Sequence, residues 1–194
     1  MARPKNTKKD RIPILDDEFT KIIFLTKRDK SMKSVTKKKL LRAYTLLYCT
    51  GARISEISKF TLEDIQYIYK YNEKIITKTK TGATQKLVIN EKAIQLLKDL
   101  PYDDCKEYLF YANNKPTPMS VAGLTDLIND HLKEQLNILY TTHSFRAGYI
   151  TRIVETTGNP KIAQKLARHK NITTTLNYVG VSDKQIDDAL NKIF

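Results

Sequence analysis

Between residues 36 and 90 the hydrophobic repeat of the chain changes period, and that change restricts the fold more than any other feature. From Thr36 to Thr50, Leu40, Leu41, Tyr44, Leu47 and Tyr48 recur at three- and four-residue spacings, which predicts an amphipathic helix. Gly51 stands where a left-handed cap would end it. A short helix, Ile54 to Lys59, is expected next. The stretch Asp64 to Asn90 reads differently. Ile65, Tyr67 and Tyr69, then Ile75 to Thr79, then Leu87 to Ile89 are β-branched or aromatic runs parted by Tyr71-Asn72-Glu73 and Thr81-Gly82-Ala83, the pattern of three short antiparallel strands joined by tight turns.

Helical signals occupy the rest. Asp16 and Asp17 can cap a helix with Phe19, Ile22, Ile23 and Thr26 on its apolar face, and Asn90 can cap Glu91 to Leu100, which Pro101 stops. Further helices are expected over 120–136, 143–157, 160–168, 172–178 and 183–194, parted by Thr141-Thr142, Gly158-Asn159 and Gly180. The expected class is α+β, mostly α-helical with a small three-stranded antiparallel sheet. Residues 1–13 carry two prolines and no periodicity, and read as a basic lead-in or linker stub before a single domain over 14–194.

Composition narrows the partners. The 194 residues hold 34 Lys+Arg against 21 Asp+Glu, a formal charge of +13, and +8 of it lies in the first 40 residues. Such an excess favours a phosphate backbone through counterion release, so nucleic acid is the leading partner. No apolar run reaches the roughly 18 residues of a membrane span, and no signal-peptide core follows the basic front. Only Cys49 and Cys105 are present, which excludes disulfide scaffolds and cysteine zinc modules and suits a reducing compartment.

Four segments place chemistry-bearing side chains at element ends. In Thr50-Gly51-Ala52-Arg53-Ile54-Ser55-Glu56, Arg53 leaves a helix junction with a guanidinium able to fork onto two phosphate oxygens. Lys78-Thr79-Lys80-Thr81-Gly82 puts Lys80 at a hairpin tip, with the reach a proton donor needs. In Thr142-His143-Ser144-Phe145-Arg146, His143 and Arg146 are three apart on one helix face, so both can meet one phosphate near a helix N-terminus. In the fourth segment His169 follows a helix and Tyr178 lies nine residues on. A phenol ionises near 10, so a nucleophilic tyrosinate needs cations and donors around it. Each segment alone is compatible with an ordinary surface or core residue.

In this order, the four segments resemble the catalytic domain of the tyrosine recombinases, the phage-integrase family of DNA strand-exchange enzymes. Thr-Gly-Ala-Arg-Ile-Ser-Glu at 50–56 is similar to the family's first arginine box, and Lys80 falls at its hairpin lysine. His143-Ser-Phe-Arg146 resembles the H-x-x-R box, and His169 keeps the family spacing to Tyr178. Two departures stand out: Ala167-Arg168 precede His169 where the family usually has Leu-Gly, and the customary N-terminal helical clamp domain is absent from these 194 residues.

The resemblance implies a site-specific recombinase or integrase acting on double-stranded DNA. Tyr178 would attack the scissile phosphate to give a 3′-phosphotyrosyl link, Arg53 and Arg146 would clamp the nonbridging oxygens, and Lys80 would protonate the leaving 5′-oxygen. His143 would transfer a proton or hydrogen-bond the phosphate, and His169 would support the transition state. No metal or nucleotide cofactor is required. Alternatives are type IB topoisomerase-like relaxation and a catalytically inactive DNA-binding protein on the same scaffold. A zinc hydrolase using His131, His143 and His169 fails on spacing. Residues 182–194 predict a helix with Ile186, Ala189, Leu190, Ile193 and Phe194 on one stripe. It would dock either on its own chain or on a neighbouring protomer, as in a homo-tetramer on DNA built from free monomers. The expected location is the cytoplasm and nucleoid or another reducing, DNA-containing compartment.

Overall fold

A computed structural model describes residues 12–77, 84–112, 117–178 and 190–191. They form α1 (Asp16–Arg28), α2 (Ser34–Thr50), α3 (Ile54–Ile57), α4 (Leu62–Tyr71), β1 (Glu73–Thr77), β2 (Thr84–Val88), α5 (Glu91–Lys98), α6 (Val121–Gln135), α7 (Thr142–Thr157), α8 (Pro160–Ala167) and α9 (Ile172–Leu176). The class is therefore mostly helical with a small antiparallel sheet. Two compact units divide the chain, Met1–Tyr149 and Ile150–Phe194, and the division falls within α7.

The first unit is organised around α2. From Lys39 to Tyr48 every residue of this helix is buried, including Leu40, Tyr44, Leu46 and Leu47 at 1% exposure or less. A helix buried on every face must satisfy its polar side chains internally. The two terminal guanidinium nitrogens of Arg42 do so with a forked pair to Asp104 at 2.6 and 3.1 Å and a bond to the Pro101 carbonyl at 2.7 Å. Burial alone would raise the Asp104 carboxyl, but the Arg42 hydrogen bonds and charge more than offset it and hold it below the usual carboxylate range. Tyr111 donates to the same carboxylate at 2.9 Å, so the segment after α5 is fastened to α2. On α1, Phe19 stacks on Tyr48 with centroids 3.7 Å apart. Asp16 and Asp17 stand in the first turn of α1, the cap position being Leu15; Asp16 accepts from the Tyr48 hydroxyl at 2.6 Å.

The sheet is smaller than the sequence suggests. Among the described residues it has two strands, paired antiparallel with Ile75 opposite Lys86 and Ile76 opposite Gln85. Ile76 and Leu87 face the core and Ile75 and Val88 face outward. The expected first strand, Ile65 to Tyr69, is instead part of α4. Thr61 caps this helix, its hydroxyl accepting from the Asp64 amide at 3.2 Å while the Asp64 carboxylate accepts from the Thr61 amide at 3.0 Å. Asn72 ends it in the left-handed region. That reciprocal cap fixes a helical start, and Ile65 and Ile68, three apart, then share the buried face. The alternation of Ile65, Tyr67 and Tyr69 is incidental to that spacing.

The second unit has its own small apolar cluster, Ile150, Ala163 and Ala167, with Ile153, Val154 and Tyr178 packed against it. Asn159 caps α8 and Asn171 caps α9, each through a side-chain oxygen that accepts a backbone amide at 2.9 Å. Among the described residues, no helix is long and apolar enough to cross a membrane.

Candidate active site

The turn Thr50-Gly51-Ala52-Arg53 is built by the end of α2. The Thr50 hydroxyl donates back to the Leu46 carbonyl at 2.6 Å and accepts the Ala52 amide at 3.1 Å. Gly51 takes φ +56, a conformation open to glycine at little cost. A Cβ there would lie 2.3 Å from the Tyr149 ring, so the absence of a side chain also admits that ring. Arg53 follows as the residue before α3, with its side chain partly exposed. Its amide donates to one Glu56 oxygen at 2.8 Å and its guanidinium to the other at 3.1 Å.

Arg146 is 4% exposed. Its guanidinium donates to the Gly51 carbonyl at 2.6 Å, which ties the second arginine to the turn that presents the first. His143 lies one helical turn earlier on α7 and is exposed. The start of α7 is anchored by Asn129 of α6, whose side-chain oxygen accepts the Thr142 amide at 2.9 Å. Phe145 stacks on Tyr44 of α2 at 5.5 Å. The Tyr44 hydroxyl in turn shares a 2.7 Å hydrogen bond with His131 Nδ1. Burial pushes the Tyr44 phenol well above its ordinary value and holds the His131 imidazole below its own, against the opposing pull of Glu134 and Asp29. His131 is thus a core residue, held by Tyr44 of α2, which stacks on Phe145 of α7.

In the second unit, Arg168 ends α8 in the left-handed region at φ +59. This is the position where the sequence departs from Leu-Gly, and the departure leaves a left-handed turn in place with an arginine in it. His169 Nδ1 lies 2.9 Å from the Thr175 hydroxyl. The His169 and Tyr178 rings lie 6.1 Å apart and 17° from parallel. Tyr178 is half-buried just after α9; its amide donates to the Thr175 carbonyl at 2.9 Å, and its own carbonyl accepts from the Thr151 hydroxyl at 3.4 Å.

The structure therefore brings Arg53, Gly51 and Arg146 together in one unit, with His143 on the same helix as Arg146, and gathers His169 and Tyr178 in the other. Lys80, with Lys78 and Gly82, lies outside the described residues. The sequence reading did not single out Glu56, Asn129 or Thr175. Glu56 carries a legible signal, an acid three residues after the arginine at a helix start; Asn129 and Thr175 act through contacts that no local spacing announces.

The model of the phage integrase family matches residues 13–185. The chain belongs to the phage integrase family. Among the relatives of this integrase-family chain, a tyrosine recombinase of Thermosipho africanus is 28% identical over 185 residues, covering 93% of this chain and 61% of the relative. A tyrosine recombinase XerA of Pyrococcus horikoshii is 25% identical over 203 residues, covering 99% and 65%. The chain spans about half to two thirds of the length of the curated relatives it matches. The fold is similar to that of a XerA recombinase crystal structure, with a TM-score of 0.70 at 18% identity over 93% of this chain and 65% of the other. It is also similar to the Tn1549 transposon integrase in complex with a circular intermediate DNA, with a TM-score of 0.68 at 20% identity over 97% and 68%.

Proposed function

We propose that this integrase-family chain cleaves and rejoins DNA strands as a site-specific recombinase, with double-stranded DNA as its substrate. The observation that supports this most directly is the local arrangement of His169, Thr175 and Tyr178. A half-buried tyrosine packs beside an imidazole whose ring nitrogen is oriented by a hydroxyl, as a tyrosine used as a nucleophile requires. The TM-score neighbours that carry DNA add to the case for DNA as partner.

In the proposed reaction the Tyr178 oxygen bonds to the scissile phosphorus as the bond to the 5′-oxygen breaks. The phenol passes its proton to water, and the departing 5′-oxygen gains one from Lys80. Arg53 and Arg146 neutralise charge on the nonbridging oxygens, where a preorganised donor acts most strongly in the transition state. His143 and His169 complete the donor set. The phosphotyrosyl bond keeps the energy of the broken diester, so attack by a 5′-hydroxyl of a partner strand restores DNA and frees Tyr178. Four protomers on two duplexes form the proposed assembly, with the 182–194 stripe docked on a neighbour; that segment lies largely outside the described residues.

The test is trapping on a nicked suicide duplex, whose short 5′ fragment diffuses away after cleavage. The wild-type chain should give a covalent protein–DNA band resistant to denaturant, and Tyr178→Phe should give none. A wild-type chain that binds the duplex and never forms the adduct would reduce it to a DNA-binding protein.

A further inference from the structure

The catalytic helix α7 is gripped on two opposite faces over one turn. Residues 144 and 148, four apart, share one face, while 146 and 149, three apart, share another centred about 170° around the axis from position 144. The second face rests on Gly51, through the Arg146 guanidinium on the Gly51 carbonyl and the Tyr149 ring against its α-carbon. The first face meets Ile14, in the segment 12–15 that precedes α1. There the Ile14 amide donates to the Ser144 carbonyl at 2.9 Å, and Ile14 is fully buried. A Cβ on Gly148 would fall 1.9 Å from the Ile14 carbonyl oxygen and 2.7 Å from its carbon. The Ile14 peptide therefore lies flat against the bare α-carbon of Gly148, an approach that only glycine permits.

We propose that Ile14 and Gly148 are positioning residues for Arg146. The segment 12–15 acts as a strap that presses α7 toward the Gly51 turn and fixes the height at which the Arg146 guanidinium stands. The inference rests on the reading of Arg146 as a phosphate clamp. Because a guanidinium must meet the developing charge to within a fraction of an ångström, a small displacement of α7 costs rate while leaving the rest of the DNA-facing surface in place.

The test uses the full chain and a nicked suicide duplex at saturating protein, with DNA affinity measured separately by anisotropy and strap docking by hydrogen exchange at the Ile14 amide. Gly148→Ala adds the obstructing carbon, and Ile14→Pro removes the donor to Ser144. Each should slow single-turnover cleavage by at least about tenfold with affinity within about twofold of wild type. The Ile14 amide in Gly148→Ala should exchange faster, and Ile14→Val, which keeps the amide and most of the side chain, should cleave at close to the wild-type rate. Because both changes act on one contact, the double variant should be no slower than the slower single. Effects that multiply, affinity that falls in step with rate, or wild-type cleavage by Gly148→Ala with its strap released would overturn the proposal. If Gly148→Ala does not fold, Ile14→Pro and Ile14→Ala carry the same comparison. Arg146→Ala separates the two readings: wild-type cleavage by that variant removes the clamp itself, whereas its loss alongside intact Gly148→Ala and Ile14→Pro removes only the strap.

Discussion

Gln164 holds His169 at both ends of its backbone unit. Its carbonyl accepts the His169 amide at 3.0 Å, and its side-chain nitrogen donates to the His169 carbonyl at 3.3 Å. The turn these bonds close passes through Arg168 at φ +59, where a side chain costs about 1–2 kcal/mol relative to glycine.

Arg168→Gly should therefore leave the unfolding free energy unchanged or raise it by up to about 1 kcal/mol, with cleavage retained. Arg168→Val, β-branched at the same φ, should lose about 2 kcal/mol. Urea denaturation of the two variants beside the wild type checks the order. A glycine variant less stable than the valine one would mean that the arginine side chain, not the backbone, sustains the turn.

Gly51→Ala should be among the most damaging single changes in the first unit. It forces a side chain into a left-handed backbone and drives a carbon into the Tyr149 ring, for a loss of about 2–4 kcal/mol. Combining it with Tyr149→Ala should cost less than the sum of the two, since the second change removes the obstacle created by the first. Thermal melts of the four chains measure the coupling.

Stability should fall as the medium becomes acidic because of His131. Burial depresses its folded-state pKa below the ordinary 6.5, so between the two values the unfolded chain binds the proton and the folded chain does not. The neutral imidazole's contribution is fully present above about 6.5 and is lost as pH falls below it, at up to about 1.4 kcal/mol per pH unit until the folded value is reached. Denaturant midpoints followed from pH 8 to pH 5 should show this slope, and His131→Gln should flatten it. An unchanged slope in that variant would assign the effect to another group.

If the proposed function holds, Arg53→Ala and Arg146→Ala should each lower the cleavage rate by about 100-fold or more while weakening duplex binding only a few-fold, because each would act mainly on charge that appears in the transition state. Equal losses in adduct formation and in anisotropy-measured affinity would make them DNA-contact residues only. Glu56→Gln offers an intermediate case. It keeps the geometry beside Arg53 and removes the carboxylate charge, so it should alter cleavage less than either arginine change.

Much of this was legible in the sequence wherever one segment determines its own shape. The stripe of α2 and the glycine that ends it were readable because a buried helix and a left-handed cap leave strong local marks. The strand expected at Ile65 to Tyr69 failed because alternation over five residues is also compatible with a helix. The decisive sign was the Thr61–Asp64 cap, which lies upstream of the alternating residues. At the site, the two arginines and the Tyr178 spacing were visible as ordered motifs. The Gly51 carbonyl under Arg146 and the hydroxyl of Thr175 beside His169 were not, since each joins groups brought together only by packing or by a turn. Gly148 reads in sequence as an ordinary glycine within a helix; its reason is a peptide more than 130 positions earlier.

The complete burial of α2 from Lys39 to Tyr48 has a consequence for how such a chain can diversify. A helix with one wet face can absorb drift there, but this one has no wet face over that stretch, and its charged members, Lys39 and Arg42, are committed to the Tyr111 carbonyl, the Pro101 carbonyl and Asp104. Every position is coupled to a neighbour of fixed volume or fixed charge, so tolerated change is confined to near-isosteric swaps. The helix that delivers the arginine turn is thus tightly constrained over that stretch. The exposed faces of α1, α4 and the two strands, by contrast, can be rewritten while the turn at Gly51 stays where it is.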